Sequence, residues 1–189
     1  MDRRSLALLL LSGDLACGTP APACPPATMA DADRGQAVLA TARGTRAGHG
    51  LNVGTAICFG GRDRGSVLPN GVVVISSTLD RVAAAARLIH LRMHVADDLH
   101  RFPVPGVPCD RQMHEATLAE ARAIAAEITA CDELGCSDRP YTFATEVLAA
   151  TPDERVGRVL ARMRDKPATD GLNVMLRRYR VRCEDAEDL

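Results

Sequence analysis

Tryptophan is absent from this chain, and only two tyrosines and three phenylalanines occur in its 189 residues. A core must therefore be assembled from Ala, Leu, Val, Ile and Met, a palette that favours helix over a sheet-dominated fold. Lysine is nearly absent as well: Lys166 is the single one among 23 basic residues, and the formal net charge is -1. Without a positive excess the chain lacks the electrostatic footprint of a nucleic-acid or anionic-membrane binder. No apolar run reaches the length of a membrane span. The glycines at Gly60-Gly61 and Gly65 lack the Lys-Ser/Thr ending of a phosphate loop, no Gly-x-Ser-x-Gly elbow occurs, and no Cys-His pairing for nucleophilic catalysis is recognisable.

What is present is enough for one domain of ordinary size, since 47% of the residues are hydrophobic. The first 23 residues read as a targeting segment. Asp2-Arg3-Arg4 carries positive charge, Leu6 to Leu11 is apolar, and small residues follow at Ala16 and Ala21-Pro22-Ala23. Cleavage near Ala23 and cleavage before a lipid-modified Cys17, within Leu15-Ala16-Cys17, are both open. Either outcome predicts an exported protein, and only the second gives it a membrane anchor, the lipid on Cys17. Setting Cys17 aside leaves Cys24, Cys58, Cys109, Cys131, Cys136 and Cys183, an even set suited to disulfides or buried thiols. Cys131 and Cys136 have no second pair of similar spacing, which disfavours a four-thiolate zinc knot.

Along the chain, residues 24–45 read as a Pro/Ala-rich tether, which extends through about Ala30, followed by a short helix from about Asp31 to Ala42. Residues 46–135 carry the core elements, and 136–189 a helical extension of the same domain. Ala56-Ile57-Cys58-Phe59 and Val72-Val73-Val74-Ile75 read as strands that could pair as an antiparallel ribbon across a polar excursion ending in Pro69-Asn70-Gly71. Ser77 and Asp80 fit a capping box for a helix from about Leu79 to Ala96, which opens on the alanine run Ala83 to Ala86. A second long helix spans about Asp110 to Ala130 and is closed by Gly135; Pro140 opens a third and Thr151-Pro152-Asp153-Glu154 a fourth. Tyr179, Val181 and Cys183 alternate with Arg178, Arg180 and Arg182, the period of a half-exposed edge strand.

The chemistry concentrates on His90-Leu91-Arg92-Met93-His94. Histidines four apart on a helix project from one face and can converge on one metal ion. The spacing is that of HExxH, in which two histidines hold zinc and the glutamate is the general base, but Leu91 stands in the glutamate's place. Together with a strand ending at Val74-Ile75, a turn at Ser76-Ser77-Thr78 and an Ala-rich helix carrying the histidines in its last third, this stretch resembles the small gluzincin-like zincin metallopeptidase domains. The resemblance covers about residues 50–130. It implies an α+β, helix-rich zincin-like fold with a short antiparallel sheet packed on the HxxxH helix, zinc as cofactor, and a glutamate from the next helix as third ligand.

Glu120, at the margin of that helix's apolar face, fits the third ligand best, with Glu127 one heptad on as a substitute. His100 matches the longer metzincin interval, although Asp97 occupies the position of the metzincin glycine; Asp97 itself falls on the histidine face if the helix continues. His49 and His114 receive no role. Because leucine accepts no proton, and base assistance is worth about a hundredfold to ten-thousandfold in rate, peptidase activity is not expected. The leading expectation is a degenerate, exported or lipid-anchored zincin-like protein that binds an unidentified protein or peptide partner. The alternatives are an active hydrolase with a displaced base such as Asp98, and a structural envelope protein without metal.

Overall fold

Four small residues in a row, Ala83–Ala86, are fully or almost fully buried, and the rest of the molecule is arranged around the helix they open. The computed structural model describes residues 23–51, 56–61, 64–137, 139–165 and 171–187. Its elements in chain order are β1 (Thr28–Ala30), α1 (Ala32–Arg43), β2 (Ile57–Gly60), β3 (Gly65–Val67), β4 (Val73–Ile75), α2 (Arg81–Ala96), α3 (Cys109–Leu134), α4 (Ala144–Leu148), α5 (Arg155–Asp165) and α6 (Gly171–Glu187). Single 3-10 turns occupy Leu99–Arg101 and Pro152–Glu154. The chain is thus α+β and helix-rich. The targeting segment and Cys17 lie outside the described residues.

The sheet has the order β1-β2-β4-β3. Its two inner strands are parallel, with Cys58 opposite Val74, and β1 and β3 flank them antiparallel. The antiparallel ribbon expected of Ala56–Phe59 and Val72–Ile75 is therefore wrong. The polar excursion between them contains β3, which pairs with β4 through a turn at Leu68–Gly71, where Gly71 N–H donates to the Leu68 carbonyl. Entering β4 from that outer edge makes it run parallel to β2. Part of the expected tether is likewise tied down: Thr28–Ala30 pairs with β2, and Cys24 is bonded to Cys58.

One face of the sheet carries Phe59, Val73 and Ile75, which pack on α2 together with Val38, Leu39 and Ala42 of α1. Small alanines let these layers approach closely. The start of α2 differs from the expected Ser77 box: Asp80 is the cap, accepting the Ala83 N–H at 2.8 Å, while Ser76 and Thr78 bond each other through their hydroxyls. Thr151 and Glu154 form a capping box that leads through a 3-10 turn into α5, at the place where the sequence opens its fourth helix. Gly135, left-handed with φ 71°, ends α3.

A correction also falls on Tyr179, Val181 and Cys183, which belong to helix α6 and not to an edge strand. Six residues of alternation cannot separate the two periods, because Tyr179 and Cys183 are four apart and share a helical face. Exposure decides: Cys183 is fully buried while Val181 is 49% exposed, where a strand would put both on one side. The buried cysteine is bonded to Cys109 at the start of α3. That bridge spans 74 residues of sequence, and in the loop-entropy account such a closure contributes roughly 4 kcal/mol. Its structural result is to hold α6 against the first half of α3. Cys131–Cys136 closes the turn at the other end of α3.

Candidate metal centre

Helices α2 and α3 lie side by side and run in opposite senses, so residues later in α2 meet residues earlier in α3. His94 faces Glu120, and His90 reaches on to Glu127. All four residues are buried, none more than 7% exposed. The two imidazole Nε2 atoms approach to 2.8 Å. Glu120 closes the group, with Oε2 3.6 Å from His90 Nε2 and Oε1 3.4 Å from His94 Nε2. One ligand atom from each of His90, His94 and Glu120 can thus be chosen within 4.8 Å of the others, a buried constellation that could hold a metal ion.

Each member of the trio except His94 is held from behind. Glu127 Oε2 lies 2.9 Å from His90 Nδ1, off the straight line a strong N–H···O bond prefers. The Glu127 carboxylate also accepts from Arg64 at 3.2 Å, Arg87 at 3.1 Å and the Tyr141 hydroxyl at 2.8 Å. Glu120 Oε1 accepts the Tyr179 hydroxyl at 2.7 Å. Glu120 Oε2 and His94 Nδ1 are buried without a hydrogen-bond partner among the described residues. An unsatisfied carboxylate oxygen in the interior is costly unless something binds it.

Burial and charge fix the protonation states. His90 is lowered to about 4, first by burial and then by the Arg87 charge, which outweigh Glu127, so it is neutral and able to offer a lone pair. Burial works against ionising Glu120 and Glu127, yet both carboxyls are held below the usual range. For Glu120 the opposing influences are His94, His90 and the Tyr179 hydroxyl; for Glu127 they are Arg87, His90 and Arg64. Tyr141 and Tyr179 are raised, by burial first and by those carboxylates next, and remain donors.

A cleft of about 750 Å³ opens over the trio. Strand β3 forms one wall, α6 another, and the segment around Tyr141–Phe143 a third. Leu91 is 1% exposed and lines the same cleft beside Gly65. Gly65 has φ +141°, and a Cβ there would meet the Val74 carbonyl at 2.5 Å, so only glycine fits this edge of the cleft.

The other candidates separate cleanly. Glu127 stands behind His90 and is not the residue nearest both histidines. Asp97 ends α2 and pairs with Arg122 at 3.0 Å. His100 lines the cleft but lies outside the ligand group. Asp98, the alternative base, is 69% exposed, faces Arg101 and does not line the cleft. His49 and His114 are exposed. Sequence reasoning missed Arg64, Arg87, Tyr141 and Tyr179. A signal existed in part: Arg87 is three residues before His90 on the same helical face, and the chain's two tyrosines both serve the two buried glutamates.

Comparison with known proteins returns no match: no family model, no curated protein and no solved structure is significantly similar to this chain. Three disulfides fit an oxidising, exported environment. No described helix is long and apolar enough to cross a membrane.

Proposed function

We propose that this is an exported zincin-like pseudopeptidase: a protein that binds a zinc ion at His90, His94 and Glu120 and receives a peptide in the cleft above without cleaving it. The observation that carries the reading is the buried convergence of two imidazole nitrogens with a carboxylate that retains an unpartnered oxygen. Two histidines and a glutamate are a common donor set for zinc, with an open fourth position. Zinc–nitrogen bonds of about 2.1 Å at tetrahedral angles separate ligand atoms by about 3.4 Å. The His–Glu separations of 3.4 and 3.6 Å match this, and the 2.8 Å between the histidines needs about half an ångström of spreading.

Bound there, zinc would supply a Lewis acid at the cleft floor. The chain's own residues orient its ligands: Glu127 sets the His90 ring and Tyr179 sets Glu120, the buttressing on which metal affinity depends. Leu91 withholds the proton acceptor, and Asp98 faces away. A peptide is favoured as occupant because β3 runs along the cleft as the last strand of the sheet, an edge suited to an extended chain.

Metal analysis of the purified mature protein tests this reading. Wild type should carry or take up one zinc per chain, and the His90→Ala, His94→Ala double variant none. Equal, near-zero metal in both would refute it and favour a purely structural protein. Leu91→Glu in the zinc-loaded protein asks whether the base is the missing part: metal-dependent cleavage of an unstructured peptide mixture is expected above the wild-type background, and chelator should abolish it.

A further inference from the structure

The cleft is strongly one-sided in charge. Four arginines line it, Arg64, Arg87, Arg178 and Arg182, against the single carboxylate of Glu120. Glu127, behind the wall, supplies one further negative charge. Four positive charges against two negative leave the site net positive before any metal ion is added. Low-dielectric walls focus such a field on whatever enters.

Helix α6 is the source of the excess. Its positions 175, 178, 179 and 182 recur at helical spacing, and all four side chains face the cleft. Tyr179 is committed to Glu120, and Arg182 donates to the Phe102 carbonyl. Arg178 is exposed and has neither an ion-pair nor a hydrogen-bond partner among the described residues. On the opposite wall the Arg64 and Arg87 guanidiniums are held by Glu127. The exposed Arg178 guanidinium in this positive cleft matches planar oxyanions, and carboxylates are its natural partners. Between the arginines lie Val67, Ile124, Phe143 and Met175, which accept apolar side chains.

We infer that the cleft selects an acidic peptide segment, in which glutamate or aspartate side chains alternate with apolar ones. The inference rests on the proposal that this cleft is the binding site for a peptide. The shared chemistry, a carboxylate, could also come from a small dicarboxylic acid, and the test separates the two.

The probe is an acetylated hexapeptide alternating Glu and Leu and bearing a neutral fluorophore, compared with its Lys-Leu and Gln-Leu counterparts by fluorescence anisotropy on the zinc-treated, disulfide-intact protein. The acidic peptide should bind at least tenfold more tightly than either counterpart and weaken as salt rises. Arg178→Glu should weaken it about tenfold while leaving metal content and thermal unfolding unchanged, since Arg178 holds nothing else together. Equal binding of the acidic and basic peptides, or an Arg178→Glu variant that binds like wild type, would overturn the inference. Displacement of the probe by glutarate at the acidic peptide's own concentration would overturn the peptide as occupant. A wild-type protein that holds no metal yet discriminates among the peptides would refute the zinc reading and leave this one standing.

Discussion

Glu127→Ala is expected to lower the unfolding free energy by about 3–5 kcal/mol, the largest loss of any single substitution near the site. Glu127 is fully buried, accepts hydrogen bonds from two guanidinium groups and a phenol, and lies against the back of the His90 imidazole. Removing it does not remove the charge that faced it. Arg87 keeps a side chain only 13% exposed, and it is raised: burial pulls it down, but the neighbouring Glu127, Tyr141 and Glu120 outweigh that. The variant must therefore bury an uncompensated cation or open to water. Glu120→Ala provides the contrast. It costs Tyr179 its acceptor and both histidines a neighbour but strands no arginine, so about 1–3 kcal/mol is expected. Urea unfolding of both variants, with chelator present so that metal does not contribute, reads the difference. A Glu127→Ala protein no less stable than Glu120→Ala would show that the buried charge network is not what holds α2 to α3.

The split between these glutamates also marks what the sequence made legible. His90 and His94 at i and i+4, and Glu120 on the margin of the next helix, follow from periodicity because long helices impose it over many residues. The order of Glu120 and Glu127 relative to the histidines does not follow, since it depends on the antiparallel register of two helices separated in sequence. Sheet topology was hidden for a related reason: three of the four strands have only three residues, and β3, with an exposed Ser66 at its centre, has no apolar pattern. Parallel pairing between β2 and β4 is a non-local contact that no local signal encodes. Tyr179 was obscured by an alternation that fits strand and helix equally over six residues. Its placement over Glu120 depends on a bridge to Cys109, one of the 15 pairings that six cysteines permit.

The second large effect concerns acid, and its sign follows from His90. In the unfolded chain this histidine titrates near 6.5; in the fold, burial first and Arg87 next lower it to about 4. Between those values the unfolded state holds a proton that the native state does not, so stability must fall as pH falls from 6.5 towards 4. Linkage puts the loss at about 2 kcal/mol by pH 5 and roughly 3 kcal/mol once the window is crossed. Glu120 and Glu127 take over below it. Their folded-state values are depressed, so the stability they provide is present above the ordinary 4.5 and is lost as pH falls beneath it. The two windows adjoin, and the protein should weaken continuously from pH 6.5 downward. Bound metal steepens the dependence, because a protonated His90 cannot be a ligand. Urea unfolding at pH 7, 6 and 5, again with chelator, measures the first window; His90→Gln should flatten it, since glutamine has no proton to take up. A wild-type stability that stays level between pH 6.5 and 5 would mean that His90 is protonated inside the fold and is not poised as a neutral ligand.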